Sequence, residues 1–389
     1  MKNSILLLLF CFTANIILAQ STDLVPYRKG SKLGYANSKR EIKIPITYDY
    51  AGIFWEGMAT VKLDGKLGFI DNTGKMVIPA TFDNATRFSE GYAAVKIKAA
   101  WGFIDKTGKL IIPATYDECF PFKNGLAYVK LNNKYGFIDP KGKTIIAIEY
   151  DFVNEFSEGM AIAKKDKKYG YINKNGKLAV PLDYDYGLAF SEGMAPVEKN
   201  GLYGFVDKSG KLLIEPTYKR AYMFKEGLAY VTAIDGKMGF IDKKGKVVIP
   251  LQYDDVNYFS EGLARVTMNK KSGYIDKTGK LVIPIEFESY GGTFTDGFAR
   301  VTVNGNKGYI NKTGKLAVPA IYNLAEDFSE GLAMVFKENR YGFVDKTGKE
   351  VIPMRYQECY SFKNGLAVVY IKSKACYLDK NGTQYWEAE

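Results

Sequence analysis

Along most of the chain, short apolar runs alternate with polar turns on a fixed period. Between residues 102 and 113, Gly102-Phe103-Ile104-Asp105 and Leu110-Ile111-Ile112-Pro113 flank the polar Lys106-Thr107-Gly108-Lys109. Asp at the first turn position and Gly three residues later suit a type I turn closed by a left-handed glycine, so this stretch predicts a β-hairpin. Pro113 has no amide for a ladder and is expected to end the second strand. Irregular residues follow, and then Gly125–Lys130 predicts a third strand. A second hairpin turn leads on to Gly136. In other copies that turn carries Asp64-Gly65, Asp235-Gly236 or Asn304-Gly305, the strongest short hairpin signal. Helical periodicity is absent, and the chain reads as all-β.

The pattern is one unit repeated. Glycines after an aromatic or similar residue recur from Gly34, Gly68 and Gly102 to Gly308 and Gly342, at intervals of 34 or 35 residues, giving ten copies. An eleventh, partial unit starts at Ala375-Cys376-Tyr377. Each copy reads approximately Tyr-Gly-Phe-Ile-Asp, Lys-Thr-Gly-Lys, Leu-Val-Ile-Pro, then Phe-Ser-Glu-Gly-Leu-Ala-x-Val. The one-residue insertions fall near Asp235-Gly236 and near Tyr290-Gly291-Gly292-Thr293. Both lie in connections, as expected when turns are at the surface and strands hold the register.

These units resemble the bacterial WG repeat, named for a Trp-Gly pair within Lys-Trp-Gly-Phe-Ile-Asp. Trp101-Gly102-Phe103-Ile104-Asp105 carries the motif, with Ala100 in place of Lys. Tyr135, Tyr169, Tyr203 and Tyr341 stand in for Trp, while Leu33, Leu67, Met238, Ser272 and Lys307 depart further. The resemblance covers residues 27–385 and implies an architecture. It implies no catalytic residues.

Repeat units bury their apolar faces on their neighbours. A β-propeller uses about four strands in a blade of about 40–45 residues. With about three strands per 34-residue unit, the expectation is an elongated, solenoid-like stack, with a closed propeller-like ring as the alternative. The Asn37-Ser38-Lys39-Arg40 turn and the polar end Thr383–Glu389 read as caps, placing an N-terminal cap near residues 20–40 and a C-terminal cap near 375–389. The repeat array occupies 20–389. Before it, Lys2, the apolar run Ile5–Leu18 and Ala19 have the form of a secretory signal peptide over residues 1–19, cut between Ala19 and Gln20. The run is too short to span a bilayer and no other approaches that length, so no transmembrane segment is expected in the mature chain.

Composition narrows the chemistry. The 389-residue chain has no histidine, which excludes Ser-His-Asp triads, Cys-His pairs and histidine-ligated metals. Glu90, Glu158, Glu192, Glu226, Glu261 and Glu330 share one repeat position; Asp71, Asp105, Asp139, Asp207, Asp242, Asp276, Asp345 and Asp379 share another. An active site is a singular constellation, so these groups are read as structural, Asp closing its turn and Glu beginning a tight connection. Asp183, Asp185 and Gly187 hint at a calcium loop, but Met194 stands where its distal Glu is required. Cys119, Cys359 and Cys376 are read as buried fillers, with a Cys359–Cys376 disulfide left open. No catalytic, metal or cofactor site is expected.

The net charge of +11 is concentrated in the hairpin turns. Lys106, Lys109, Lys141 and Lys143, with their counterparts in later copies, are expected along one edge, where they either hold an anionic polymer or protect strand ends from aggregation. Trp55, replacing the usual Ser before Glu-Gly, is the best candidate for an exposed aromatic contact. These features together suggest an exported, non-enzymatic binding or scaffold protein whose partner is a protein or an anionic envelope polymer. No nucleic-acid motif is visible. A glycan-directed hydrolase using Asp or Glu in one atypical unit is the alternative, and the oligomeric state is not legible.

Overall fold

The computed structural model describes residues 24–288 and 291–387; the expected leader, 1–19, lies outside the described residues. All 41 described elements are β-strands. The first unit contains β1 (Val25–Lys29), β2 (Lys32–Ala36) and β3 (Ile42–Tyr48), antiparallel and in chain order. The second adds a two-residue strand at its start: β4 (Tyr50–Ala51), β5 (Met58–Leu63), β6 (Lys66–Asp71) and β7 (Met76–Phe82), again in chain order. Later units repeat this arrangement. The short strand is too brief for any alternation to mark it.

The expected turn forms as read. In the Asp105–Lys109 turn the Gly108 amide donates to Asp105 O at 3.0 Å, and Gly108 has φ +86°. Asp105 Oδ1 also accepts from the Thr107 hydroxyl at 2.6 Å and the Thr107 amide at 2.9 Å. The Thr107 hydroxyl bond holds this carboxyl below its ordinary range, with burial working against it.

Pro113 requires a correction. Its strand does not stop there but runs from Leu110 to Tyr116. The ladder passes from the Phe103–Ile112 pair to Trp101–Tyr116, a bulge that takes up Pro113 where no amide is needed. The repeat glycine sits opposite. A Cβ on Gly102 would lie 2.5 Å from Ile112 O, so the bulged strand approaches closely only because this residue has no side chain.

The core lies between successive units. The Phe of each Phe-x-x-Gly step packs on a strand aromatic of the preceding unit, as in Phe69–Phe88 (4.9 Å), Phe103–Phe122 (4.7 Å) and Phe343–Phe362 (4.8 Å). Strands pair within units, and only Glu288–Thr302 links two neighbouring units into one seven-stranded sheet. Divided there, the described residues form eleven small sheets, with eleven apolar clusters. An open row of eleven has only ten interfaces. The eleventh cluster joins the ends: Val25, Tyr27 and Ala36 pack with Tyr385, Leu366 and Tyr377.

The expected stack of repeated units is therefore present, and its course is the closed alternative. The Arg28 amide donates to Tyr385 O and the Glu387 amide to Arg28 O, each at 3.0 Å, making a parallel bridge between Arg28 and Trp386. In the second unit the same edge, at Lys62, is covered antiparallel by β4. The C-terminal segment thus takes the place of a short strand on the first sheet. Arg40 Nη2 donates to Trp386 O at 3.0 Å and Arg28 Nε to Ala375 O at 2.9 Å. The polar ends looked like caps because neither carries a full repeat; they are the two halves of a seam.

Candidate functional site

The repeated glutamates have a specific task. Each sits with φ between +50° and +55°, and its carboxylate reaches the next unit. Glu158 accepts from the amides of Glu192 (2.6 Å) and Gly193 (2.9 Å); Glu56, at the same repeat position, accepts from Glu90 (2.8 Å) and Gly91 (3.0 Å). A lysine two turns further along completes the latch: Lys208 Nζ lies 3.1 Å from Glu158, and Lys312 Nζ 3.0 Å from Glu261. Burial raises the Glu158 carboxyl, but Lys208 and the two amides outweigh it and leave it below the usual range.

This divides the candidate lysines. Lys106 belongs to the latch, donating to Glu56 O at 2.8 Å with its carboxylate 3.4 Å away. Lys141 is exposed at the Thr107 position of its unit. Lys109 and Lys143 share the last turn position with Lys75, Lys177, Lys211, Lys246, Lys280, Lys315 and Lys349. All nine are exposed, and none makes a salt bridge among the described residues. As equivalent positions of successive units, they follow one another around the ring.

Trp55, in the second unit, is half-buried and not freely exposed. The Arg87 guanidinium stacks over its ring at 4.0 Å. Both border a cleft of about 780 Å³ with Tyr50 and Asp49 on one side and Tyr377 and Asn364 of the last unit on the other. A second cleft, of about 360 Å³, lies where the first unit meets the last two and draws on Arg28, Arg340, Arg355, Tyr356, Tyr370 and Trp386. Sequence reasoning missed this group, whose members are brought together by ring closure. The available signal was the rarity of arginine: eight in the chain against 46 lysines.

A third departure lies around Gly291-Gly292. Arg265, nearly fully buried, donates to Thr267 Oγ1 at 3.0 Å and pairs with Asp255. Arg300 contacts Ala325 O and lies 4.0 Å from Asp327 Oδ1. Burial raises the Asp327 carboxyl, with Arg300 opposing. A side chain on Gly292 would collide with that carboxylate, which accounts for the glycine.

The remaining candidates are structural here. Asp185 accepts from Lys168 Nζ (2.6 Å) and the Asn200 amide (2.8 Å), and Asp183 pairs with Lys199, so the calcium-like carboxylates face lysines. No cluster of metal-ligating side chains occurs among the described residues. Cys119, Cys359 and Cys376 are free and buried; burial pushes the Cys359 thiol up to about 12, leaving it a packing group.

The WG-containing repeat model matches ten consecutive segments, from residues 34–66 to 341–374. The chain belongs to the WG-containing repeat family. No curated protein matches it. Among solved structures, this WG-repeat chain is similar to the crystal structure of a eukaryotic initiation factor, at 12% identity and a TM-score of 0.46, over 84% of this chain and 93% of that one. It is also similar to the extracellular domain of a putative hybrid two-component system, BT3049, from B. thetaiotaomicron, at 10% identity and a TM-score of 0.29, over 93% and 69% of the respective chains. No helix among the described residues is long and apolar enough to cross a membrane.

Proposed function

We propose that this WG-repeat protein is an exported, non-catalytic binding ring that holds an anionic envelope polymer along its lysine rim. The observation that carries the reading is the row of nine exposed lysines at one repeat position, without salt bridges, beside a second set locked in latches. A flexible polyanion contacts such a row through many weak ion pairs, and its affinity comes from their number. Export rests on the leader-like residues 1–19.

The test is retention of the mature chain, residues 20–389, on immobilised polygalacturonate with a salt gradient. Lys109→Glu, Lys143→Glu and Lys177→Glu together should elute at clearly lower salt than the parent, while neutral dextran should retain neither. Equal elution of parent and variant would reject the rim as the binding surface. Detection of the uncleaved chain in the cytoplasm of the producing cell would reject export.

The hydrolase alternative has one observation in its favour: Asp327, a carboxyl raised by burial within a singular polar cluster. A general acid needs that condition. Turnover of any envelope glycan that is abolished in Asp327→Asn would establish it in place of the binding reading.

A further inference from the structure

The seam contains something that no other part of the ring repeats. The structure assigns to it a binding site for a compact organic anion, a ring-sized body bearing a carboxylate or phosphate group, held in the cleft where the first unit meets the last two. This site is separate from the lysine rim and does not depend on it.

Three of the chain's eight arginines line this one cleft: Arg340 and Arg355, on neighbouring strands of one unit, and Arg28 from the far end of the sequence. Among the described residues none of the three makes a salt bridge. Arg28 donates through Nε to Ala375 O, Arg340 to the neighbouring Asn339 O, and Arg355 to the Tyr356 hydroxyl at 3.2 Å. Each guanidinium therefore spends part of its donor set on neutral oxygens and has other N–H groups left. The carboxylate that borders the cleft, Glu387, pairs with Lys29 at 3.1 Å. Lys374, also at the border, donates to Gly30 O.

The walls are aromatic. Trp386 is buried and meets Tyr356 edge-on at 6.3 Å, while the Arg355 guanidinium lies 5.4 Å from the Tyr356 ring centre. Tyr370 borders the other side. Guanidinium forks suit planar or tetrahedral oxyanions, and aromatic faces suit the flat side of a ring. At about 360 Å³ the cleft has room for one such ring.

The experiment is calorimetric titration of the mature chain at low ionic strength with three probes of the same body: glucuronate, glucose 6-phosphate and glucose. Saturable one-to-one binding by glucuronate or glucose 6-phosphate, with none by glucose, is expected; the better of the two identifies the anionic group. The paired substitution Arg340→Ala and Arg355→Ala should weaken that binding at least tenfold. Lys109→Ala with Lys143→Ala, on the rim, should leave it unchanged. Both arginines are exposed, and an unchanged melting temperature of the variant without ligand will show that the ring is intact. A rise in the parent's melting temperature with saturating ligand, absent in the arginine variant, is the second readout. The inference is overturned if neither anion binds saturably, if glucose binds as well as they do, or if the arginine variant binds as tightly as the parent.

Discussion

The body of the ring and its seam are built on opposite principles. In the body, the main contacts between units are copies: Phe103 packs on Phe122 as Phe343 packs on Phe362, and Glu158 reaches its neighbour as Glu330 does. A copied contact can be weak, because its neighbours repeat it. At the seam each contact occurs once, formed by residues more than 340 positions apart, such as Arg28 with Ala375 and Arg40 with Trp386. Repetition thus supplies the frame, and the place where repetition fails supplies the distinct clefts.

The sharpest way to break this contrast is to remove the seam strand. Ending the chain after Asp379 deletes the partner of Arg28 and the buried Trp386, and the ring should open. Solution scattering checks this: the parent should give a radius of gyration of roughly 21 Å, as for a compact chain of this length, and the shortened chain a clearly larger value. An equal value would mean that the apolar contacts alone close the ring.

Within the seam, Trp386→Ala should cost about 3–5 kcal/mol, the usual loss for a buried Trp. Trp55→Ala, which removes a partly exposed ring stacked on Arg87, should cost about 1 kcal/mol at most. Chemical denaturation of both variants separates them, and similar losses would contradict the burial that distinguishes the two residues.

Acid should act on the body as a whole. Turn aspartates such as Asp71, Asp105, Asp207, Asp276 and Asp345 are held low, chiefly by the neighbouring Thr or Ser hydroxyl. Their folded-state pKa values lie below those of the unfolded chain. The stability they add is complete above about pH 4 and is lost as the pH falls through the lowered values. Melting temperature should therefore fall steeply below pH 4 and change little from pH 5 to 7; a flat profile down to pH 3 would show that these bonds do not stabilise the turns.

The latch allows two smaller tests. Glu158→Ala should destabilise by about 1 kcal/mol, the value of a charged hydrogen bond discounted for partial exposure. Asn124 holds the latch position with φ +55° and, as a neutral amide, brings no carboxylate to pair with a lysine. Asn124→Glu should bring a carboxylate to the amides of Glu158 and Gly159, with Lys174 placed to close it, and stabilise by about 0.5 kcal/mol. Loss of stability there would mean that the latch geometry is not shared by all units.

The sequence made the body legible because local chemistry decides it. The Asp105–Lys109 turn is visible in four residues, and the spacing of Gly68, Gly102 and Gly136 counts the units. The bulge at Pro113 was not legible, since the reason for it is the bare Gly102 across the ladder. Lys106 and Lys109 look alike in the sequence, and only the position of Glu56, one unit back, separates a latch from an open charge. The closed course and the arginine cleft were hidden for a related reason: no local pattern connects Arg28 to Trp386, and their meeting depends on the summed curvature of every unit between them.

The parallel bridge at Arg28 also fixes an order of events in the life of the molecule. The first sheet is synthesised early, yet the segment that covers its edge, at Trp386, follows every unit between them. Until residue 387 has emerged, the β1 edge stays open and the row of sheets cannot close. Covering the β1 edge therefore waits until every unit between Arg28 and Trp386 has been made.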